Sequence, residues 1–168
     1  MFSTIFKQEL KYWFYKPVFY IYIGIFLLIS FFLSATNAGI WDGITGTTGS
    51  SRIVNSPIGI TGLFQGFTIL IFFLFPSIIG VSIYRDFKSE MHTILYSYPF
   101  TKANYLFAKF FSGILVVSAI VLVIALGMMI GFRFPGTNSE IVGNFDIMTY
   151  LLTYLIYILP NVLFFGAV

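Results

Sequence analysis

A chain of 168 residues that is 58% hydrophobic and only 9% charged has too little polar surface to stay dissolved as a soluble domain, which carries about 25% charged residues. It has no cysteine, which excludes a disulfide framework and a cysteine metal site, and its net charge of +3 matters only through its placement. The composition therefore indicates a membrane protein.

Residues 1–16 predict a helix that lies in the membrane interface. Apolar side chains recur along it at helical spacing: Phe2, Ile5, Phe6, Leu10, Trp13 and Phe14. Polar side chains fill the other side: Lys7, Gln8, Glu9 and Lys11. We expect the apolar face in the acyl boundary, the lysines among headgroups and Trp13 in the aromatic belt. This segment is either a plain anchor or an elbow that a cytoplasmic partner touches at these residues: Phe6, Lys7, Lys11, Trp13 and Lys16.

Four uncharged stretches are long enough to cross a bilayer as helices, which takes about 20 apolar residues. They are residues 17–36, 60–84, 110–132 and 147–168. Each is about twice the length of a barrel strand, so helix is the expected spanning element. The first stretch follows lysines, as a signal peptide does, but it exceeds the usual apolar core of about 7–15 residues, so we expect an uncleaved span. The predicted fold is an all-α, polytopic transmembrane protein.

Glycines and prolines mark places inside the spans where helices pack closely or bend. The stretches 62–66 and 127–131 are GxxxG patterns, which let neighbouring helices approach. Pro76 and Pro160 each remove a backbone hydrogen bond and predict a kink.

The distribution of lysine and arginine predicts the orientation. The N-terminal segment and the stretch 85–109 hold most of them: Lys7, Lys11, Lys16, Arg85, Lys88, Lys102 and Lys109. The connections 37–59 and 133–146 hold one each, Arg52 and Arg133. This excess places the N-terminus and the stretch 85–109 in the cytoplasm and the other two connections outside.

The stretch 85–109 gathers much of the charge of the chain between two spans. One side of a helix here is apolar: Phe87, Met91, Ile94, Leu95 and Tyr98. Arg85, Lys88 and His92 face away from that stripe, and Pro99 ends the helix because the residue before a proline avoids the helical region. The stretch is either the surface where the membrane part meets an aqueous partner or a solvated loop that only fixes topology.

The motifs of common enzymes are missing from the sequence. No Gly-Lys-Ser/Thr ends a glycine-rich stretch, which excludes a P-loop, and no HExxH occurs. His92 is the single histidine, and a solvated position is the expected one. We therefore expect neither catalysis nor a bound cofactor or metal in this chain.

The segment YRDFKSEMHTILYSYPFTKANYLFAKF resembles the ATP-binding-cassette (ABC) transporter permeases of the type-2 exporter family. There, a span ends in an Arg-Asp-like pair and is followed by a short helix, a proline turn, a basic residue, a tyrosine and a second basic residue. The matching positions are Arg85, Asp86, the segment to Leu95, Ser97, Pro99, Lys102, Tyr105 and Lys109. ELKYWFYKPVFYIY, NSPIGI and YLIYILPNVLFFGAV are similar to a bacterial subgroup often fused to a C-terminal metallo-aminopeptidase-like domain. Since the chain ends within an apolar run, we expect it to be the N-terminal part of a longer permease.

The resemblance implies a permease subunit of the inner membrane that exports a substrate. A separate ATPase subunit would use ATP and dock in the cytoplasm against a coupling helix from Asp86 to Tyr98. The implied contact residues are Arg85, Asp86, Lys88, Met91, His92, Leu95, Pro99 and Lys102. Further expected partners are membrane lipid and a second permease half, with no nucleic acid. The alternative is a membrane anchor or assembly scaffold for a peptidase-like domain, without transport.

Overall fold

The computed structural model describes residues 2–41, 53–90 and 102–167, and this part of the chain is helical without strands. The α-helices are α1 Phe2–Tyr15, α2 Pro17–Asn37, α3 Pro57–Phe75, α4 Val81–Lys88, α5 Lys102–Phe132, α6 Ile147–Thr153 and α7 Leu159–Ala167. π-helical segments Pro76–Gly80 and Tyr154–Ile158 join α3 to α4 and α6 to α7. Four helical units are long and apolar enough to cross a membrane, namely α2, α3 with α4, α5, and α6 with α7. The predicted all-α, multi-pass fold is confirmed.

The helices begin where the sequence supplies suitable first residues. Pro17 and Pro57 occupy the first positions of α2 and α3, where no backbone donor is needed. The Ser56 hydroxyl accepts a hydrogen bond from the Gly59 amide at 3.2 Å, and the Asp146 carboxylate accepts one from the Met148 amide at 3.0 Å. Such caps satisfy backbone donors that a helix leaves unpaired at its start.

Both prolines inside spans lie at departures from α-helical geometry. Pro76 begins one π-helical segment, and Pro160 follows the other by two residues. Proline lacks the amide hydrogen that would continue the α-helical hydrogen-bond ladder. At these places the chain adopts the wider π-helical winding, and the helix continues without a break.

Helix α5 lies at the centre of the bundle. It packs against α1, α2, α3, α7 and the first π-helical segment. Its buried side chains recur every three or four residues, which gives the helix a broad buried stripe: Ala108, Ser112, Val116, Val117, Ile120, Val121, Ile124 and Met128.

At the second GxxxG pattern, α2 and α5 are in close contact. A Cβ atom at Gly127 would collide with the Ser30 hydroxyl, and one at Gly131 would collide with the Ser34 hydroxyl. The close approach predicted for 127–131 is therefore present. In the first pattern Gly66 faces open space, so no helix uses it for contact among the described residues.

The connections on the side where α2 ends are tied to one another. The Asn55 side-chain amide donates to the Gly143 carbonyl at 2.9 Å, and the Gly143 amide donates back to Asn55 Oδ1 at 2.8 Å. The Asn138 amide donates to the Ala38 carbonyl at 3.0 Å. These bonds join the described parts of the two connections, 37–59 and 133–146, at one end of the bundle.

Large apolar side chains remain exposed on the outer faces of the spans. Ile69, Phe73 and Ile156 are 68%, 64% and 71% exposed. A soluble protein rarely leaves so much contiguous apolar surface in water, whereas these faces suit a lipid environment.

Three predicted span boundaries differ from the structure by more than one residue, the first being the start of the second span, at Pro57 instead of residue 60. The second span continues to Lys88 instead of stopping at residue 84, and the third begins at Lys102 instead of residue 110. The helix expected from Asp86 to Tyr98 is interrupted, because α4 ends at Lys88 and Glu90 adopts a left-handed backbone with φ of 52°. Residues 91–101, which hold the remainder of that predicted helix, lie outside the described part of the chain.

Candidate functional site

Four charged side chains meet where α1, the end of α4 and the beginning of α5 come together. We call them the buried charge cluster: Glu9, Arg85, Asp86 and Lys109. The side chains of Lys109, Glu9 and Asp86 are only 1%, 7% and 12% exposed. Arg85 closes the cluster on the outside at 31% exposure.

Lys109 lies at the centre of the cluster and has all three of its donors engaged. Its Nζ atom is 2.6 Å from Asp86 Oδ2 and 3.2 Å from Glu9 Oε1. It also donates to the backbone carbonyl of Ser82 at 2.7 Å. An ammonium group has three donors and no acceptor, so these contacts satisfy its hydrogen-bonding capacity.

Glu9 links α1 to both neighbouring helices. Its Oε1 atom lies 2.6 Å from Arg85 Nη2 and also faces Lys109, while Oε2 accepts a hydrogen bond from the Ser82 hydroxyl at 2.9 Å. The Arg85 guanidinium carbon lies 3.9 Å from the ring centroid of Tyr12, within the range of a cation–π contact. Two residues of α1 therefore hold the end of α4.

Asp86 links α4 to α5. Its Oδ2 atom accepts a hydrogen bond from the Tyr105 hydroxyl at 2.6 Å in addition to the Lys109 contact. Its Oδ1 atom lies 3.4 Å from Arg85 Nε, the weakest ion pair of the cluster. The carboxylate therefore bridges residues on two helices.

Helical spacing explains how two helices present their polar groups together. Ser82 and Asp86 are four residues apart in α4, and Tyr105 and Lys109 are four residues apart in α5. Residues at this separation lie on the same face of a helix, one turn apart.

The energetics favour a fixed geometry. Removing an ion from water costs several kcal/mol, which a single imperfect partner seldom offsets. Here two carboxylates face two cations, and each ion has two oppositely charged neighbours. Because the loss of one member would leave a buried charge uncompensated, the cluster holds three helices in one arrangement.

The predicted contact residues on the charged stretch have different positions. Arg85 and Asp86 belong to the cluster, and Lys88 is exposed at the end of α4. Met91, His92, Leu95 and Pro99 lie outside the described residues. Lys102 begins α5.

The predicted elbow residues do not all face the membrane. Phe6 is half-buried and stacks on Phe2 with ring centroids 5.9 Å apart, whereas Lys7 and Lys11 are exposed. Trp13 was expected in the aromatic belt. This prediction is wrong, because the Trp13 side chain packs inside the protein at 3% exposure. Lys16 is half-buried, with its Nζ atom 4.4 Å from the Tyr12 ring centroid.

Glu9 was predicted on the polar side of this helix, opposite its apolar face, and this assignment is also wrong. It lies on the inner face of α1, one turn before Trp13, and is 6% exposed. The sequence does carry a signal for this position, because Phe2, Phe6, Glu9 and Trp13 follow the three- and four-residue spacing of one helix face. Ser82 lacks a comparable signal.

Across residues 2–41, 53–90 and 102–167, no group of three or more His, Cys, Asp or Glu side chains is placed to hold a metal ion. The arrangement instead joins α1 to the end of α4 and to the first turns of α5 by ion pairs. No family model, curated protein sequence or solved structure matches this chain.

Proposed function

We propose that this chain is a membrane-spanning permease subunit of an ABC exporter, which couples ATP hydrolysis by a separate ATPase subunit to movement of a substrate across the membrane. The supporting observation is the buried charge cluster, which joins α1, α4 and α5 at one end of the bundle. The order of residues from Arg85 to Lys109, which resembles the type-2 exporter permeases, supports the same assignment.

A motor outside the membrane moves a span only if the surface that it pushes is joined stiffly to that span. Helix α4 continues α3 through the π-helical segment, and α5 is one uninterrupted helix of 31 residues, about 46 Å long. The cluster holds the near ends of both units together and adds α1 to them. A push on the connection between α4 and α5 therefore displaces two spans as one body.

The ATPase subunit docks on the cytoplasmic side, against the connection that begins after Lys88. Exposed Lys88 ends α4 just before that connection, and α1 packs against α5, which follows it. ATP is bound and hydrolysed by the partner subunit. A second permease half completes the pathway, and the apolar outer faces of the spans contact lipid.

Co-purification tests the partnership. The full-length protein, extracted in mild detergent through an affinity tag, retains an ABC ATPase subunit, and the reconstituted pair hydrolyses ATP and transports substrate. If no nucleotide-hydrolysing subunit co-purifies, the transporter assignment fails and the chain is a membrane anchor or assembly scaffold.

A variant of the cluster tests the coupling role. Glu9→Gln keeps the shape of the side chain but removes the charge that faces Arg85 and Lys109. We expect the ATPase subunit to bind and hydrolyse ATP while transport per ATP falls. Glu140→Gln, the same substitution at an exposed position at the other end of the bundle, is the matched control and retains transport. Equal transport per ATP in both variants would count against the cluster as the coupling element.

A further inference from the structure

A second group of cations lies on α1 beside the buried charge cluster, which Tyr12 also contacts through Arg85. It borders an open recess of about 440 Å³ lined by Gln8, Lys11, Tyr12, Tyr15 and Lys16. We refer to it as the basic recess.

Neither lysine of the basic recess is neutralised by the protein. Within the described part of the chain, no carboxylate lies within 4.0 Å of Lys11 or Lys16, since the only acidic residue of α1, Glu9, faces Arg85 and Lys109. The contacts of the two ammonium groups are instead with aromatic rings. Lys11 Nζ lies 5.8 Å from the Tyr15 ring centroid, and Lys16 Nζ lies 4.4 Å from that of Tyr12.

The chemistry of the recess matches an anionic phosphate. Two ammonium groups, a side-chain amide and two phenolic hydroxyls supply donors, and phosphate oxygens are acceptors. The pKa of the Tyr12 hydroxyl reflects the positive charge around the recess. Burial raises this pKa, but interactions with Lys16 and Arg85 outweigh burial and hold the pKa below its usual value.

The position of the recess indicates the source of that phosphate. Lys16 directly precedes Pro17, the first residue of a helix long enough to span the membrane. The recess therefore lies at the level where the hydrocarbon core gives way to headgroups, and Tyr15, 78% exposed, suits contact with the upper acyl and glycerol region.

We propose that the basic recess binds the phosphate of an anionic phospholipid headgroup, with Lys11 and Lys16 as its charged ligands. A bound lipid anchors α1 at a fixed depth next to the buried charge cluster. This site does not depend on the transport function proposed above.

Native mass spectrometry of the full-length protein in detergent tests the site. The protein is titrated with dioleoyl phosphatidylglycerol or dioleoyl phosphatidylcholine, and the expected result is a preference for the anionic lipid. The double variant Lys11→Gln/Lys16→Gln loses affinity for phosphatidylglycerol by about fivefold for each lysine, or about 25-fold for the pair. Lys11→Arg/Lys16→Arg restores binding because it keeps the charge.

The matched control is Lys7→Gln/Lys88→Gln, which removes the same charge from exposed positions that do not line the recess. Equal losses in the two double variants, or no preference between the lipids, would overturn the site. Displacement of the lipid by millimolar inorganic phosphate would assign the recess to a free anion instead. If the double variant does not elute as a folded species, the single variants Lys11→Gln and Lys7→Gln, both at exposed positions, are compared for their affinity for phosphatidylglycerol instead.

Discussion

At the scale of single residues, Lys109 is the most unusual member of the chain. Its side chain is 1% exposed, yet it carries a charge that would cost several kcal/mol to bury without partners. Two carboxylates and one carbonyl oxygen surround it, so the cost is offset by short, charge-assisted hydrogen bonds. Lys109 is therefore a positioning residue that holds α1 and α4 against α5.

Replacement of Lys109 by methionine, which has a similar length and no charge, should destabilise the protein by about 3–5 kcal/mol. The reason is that Glu9 and Asp86 would both remain buried after losing their shared cation. The unfolding equilibrium in detergent micelles measures the effect. Lys7→Met is the control, since an exposed substitution changes the free energy of unfolding by about 0.5 kcal/mol or less.

A double variant distinguishes lost charge balance from lost packing. Asp86→Asn combined with Lys109→Met removes one charge of each sign, so its cost should be smaller than the sum of the two single costs. Additive costs would show that the two side chains act independently, contrary to the 2.6 Å contact between Lys109 Nζ and Asp86 Oδ2.

The sequence predicted part of this site. Arg85 and Asp86 were identified because they follow a span and, with Tyr105 and Lys109, belong to the stretch that resembles the type-2 exporter permeases. Glu9 was assigned to the wrong face of α1. An interpretation from helical periodicity places every charged side chain on the solvated face, so it misplaces a charged residue that lies on the buried face. Its burial depends on cations from α4 and α5, and their proximity is a property of the tertiary structure.

At the scale of secondary structure elements, the spans were predictable, and the ends that differ most are the two that adjoin the charged stretch 85–109. Hydropathy stops a span at the first charge, so the expected second span ended at residue 84 and the third began at residue 110. The helices continue because backbone hydrogen bonds do not depend on side-chain charge. The charges of Asp86 and Lys109 are tolerated there because the two side chains pair with each other. Elements end where the backbone turns, as at Glu90.

The contact between α2 and α5 gives a further prediction. Gly127→Ala should destabilise the protein by about 1–3 kcal/mol, because the added methyl group would collide with Ser30 Oγ and approach the Leu27 carbonyl oxygen at 2.9 Å. Thermal unfolding in detergent, followed by circular dichroism, measures the loss.

Gly66→Ala is the matched control, since it also alters a GxxxG glycine in a spanning helix but meets no atom within 4 Å. It should be neutral or slightly stabilising, because alanine favours the helix over glycine. Similar losses at both positions would mean that α2 and α5 do not approach each other as closely as this packing requires.

At the scale of the whole molecule, the two ends of the bundle differ in chemistry. One end carries α1, the buried charge cluster and the exposed Lys88. The other end is held by neutral hydrogen bonds between connections, such as those of Asn55 with Gly143 and of Asn138 with Ala38. The charged end is the one that the proposed function assigns to the cytoplasm, where an ATPase subunit has access.

The orientation of these two ends can also be predicted. Insertion follows the number of lysines and arginines near the span ends and depends little on acidic residues, so Arg85 and Lys109 count toward the cytoplasmic side although carboxylates neutralise them in the folded protein. The chain has no cysteine, so Ser89→Cys and Ser139→Cys each introduce one exposed thiol, at opposite ends of the bundle. In intact cells an impermeant maleimide should label position 139 and leave position 89 unlabelled until the membrane is opened. Labelling of position 89 in intact cells would place the buried charge cluster on the outer side, out of reach of any enzyme that uses cellular ATP.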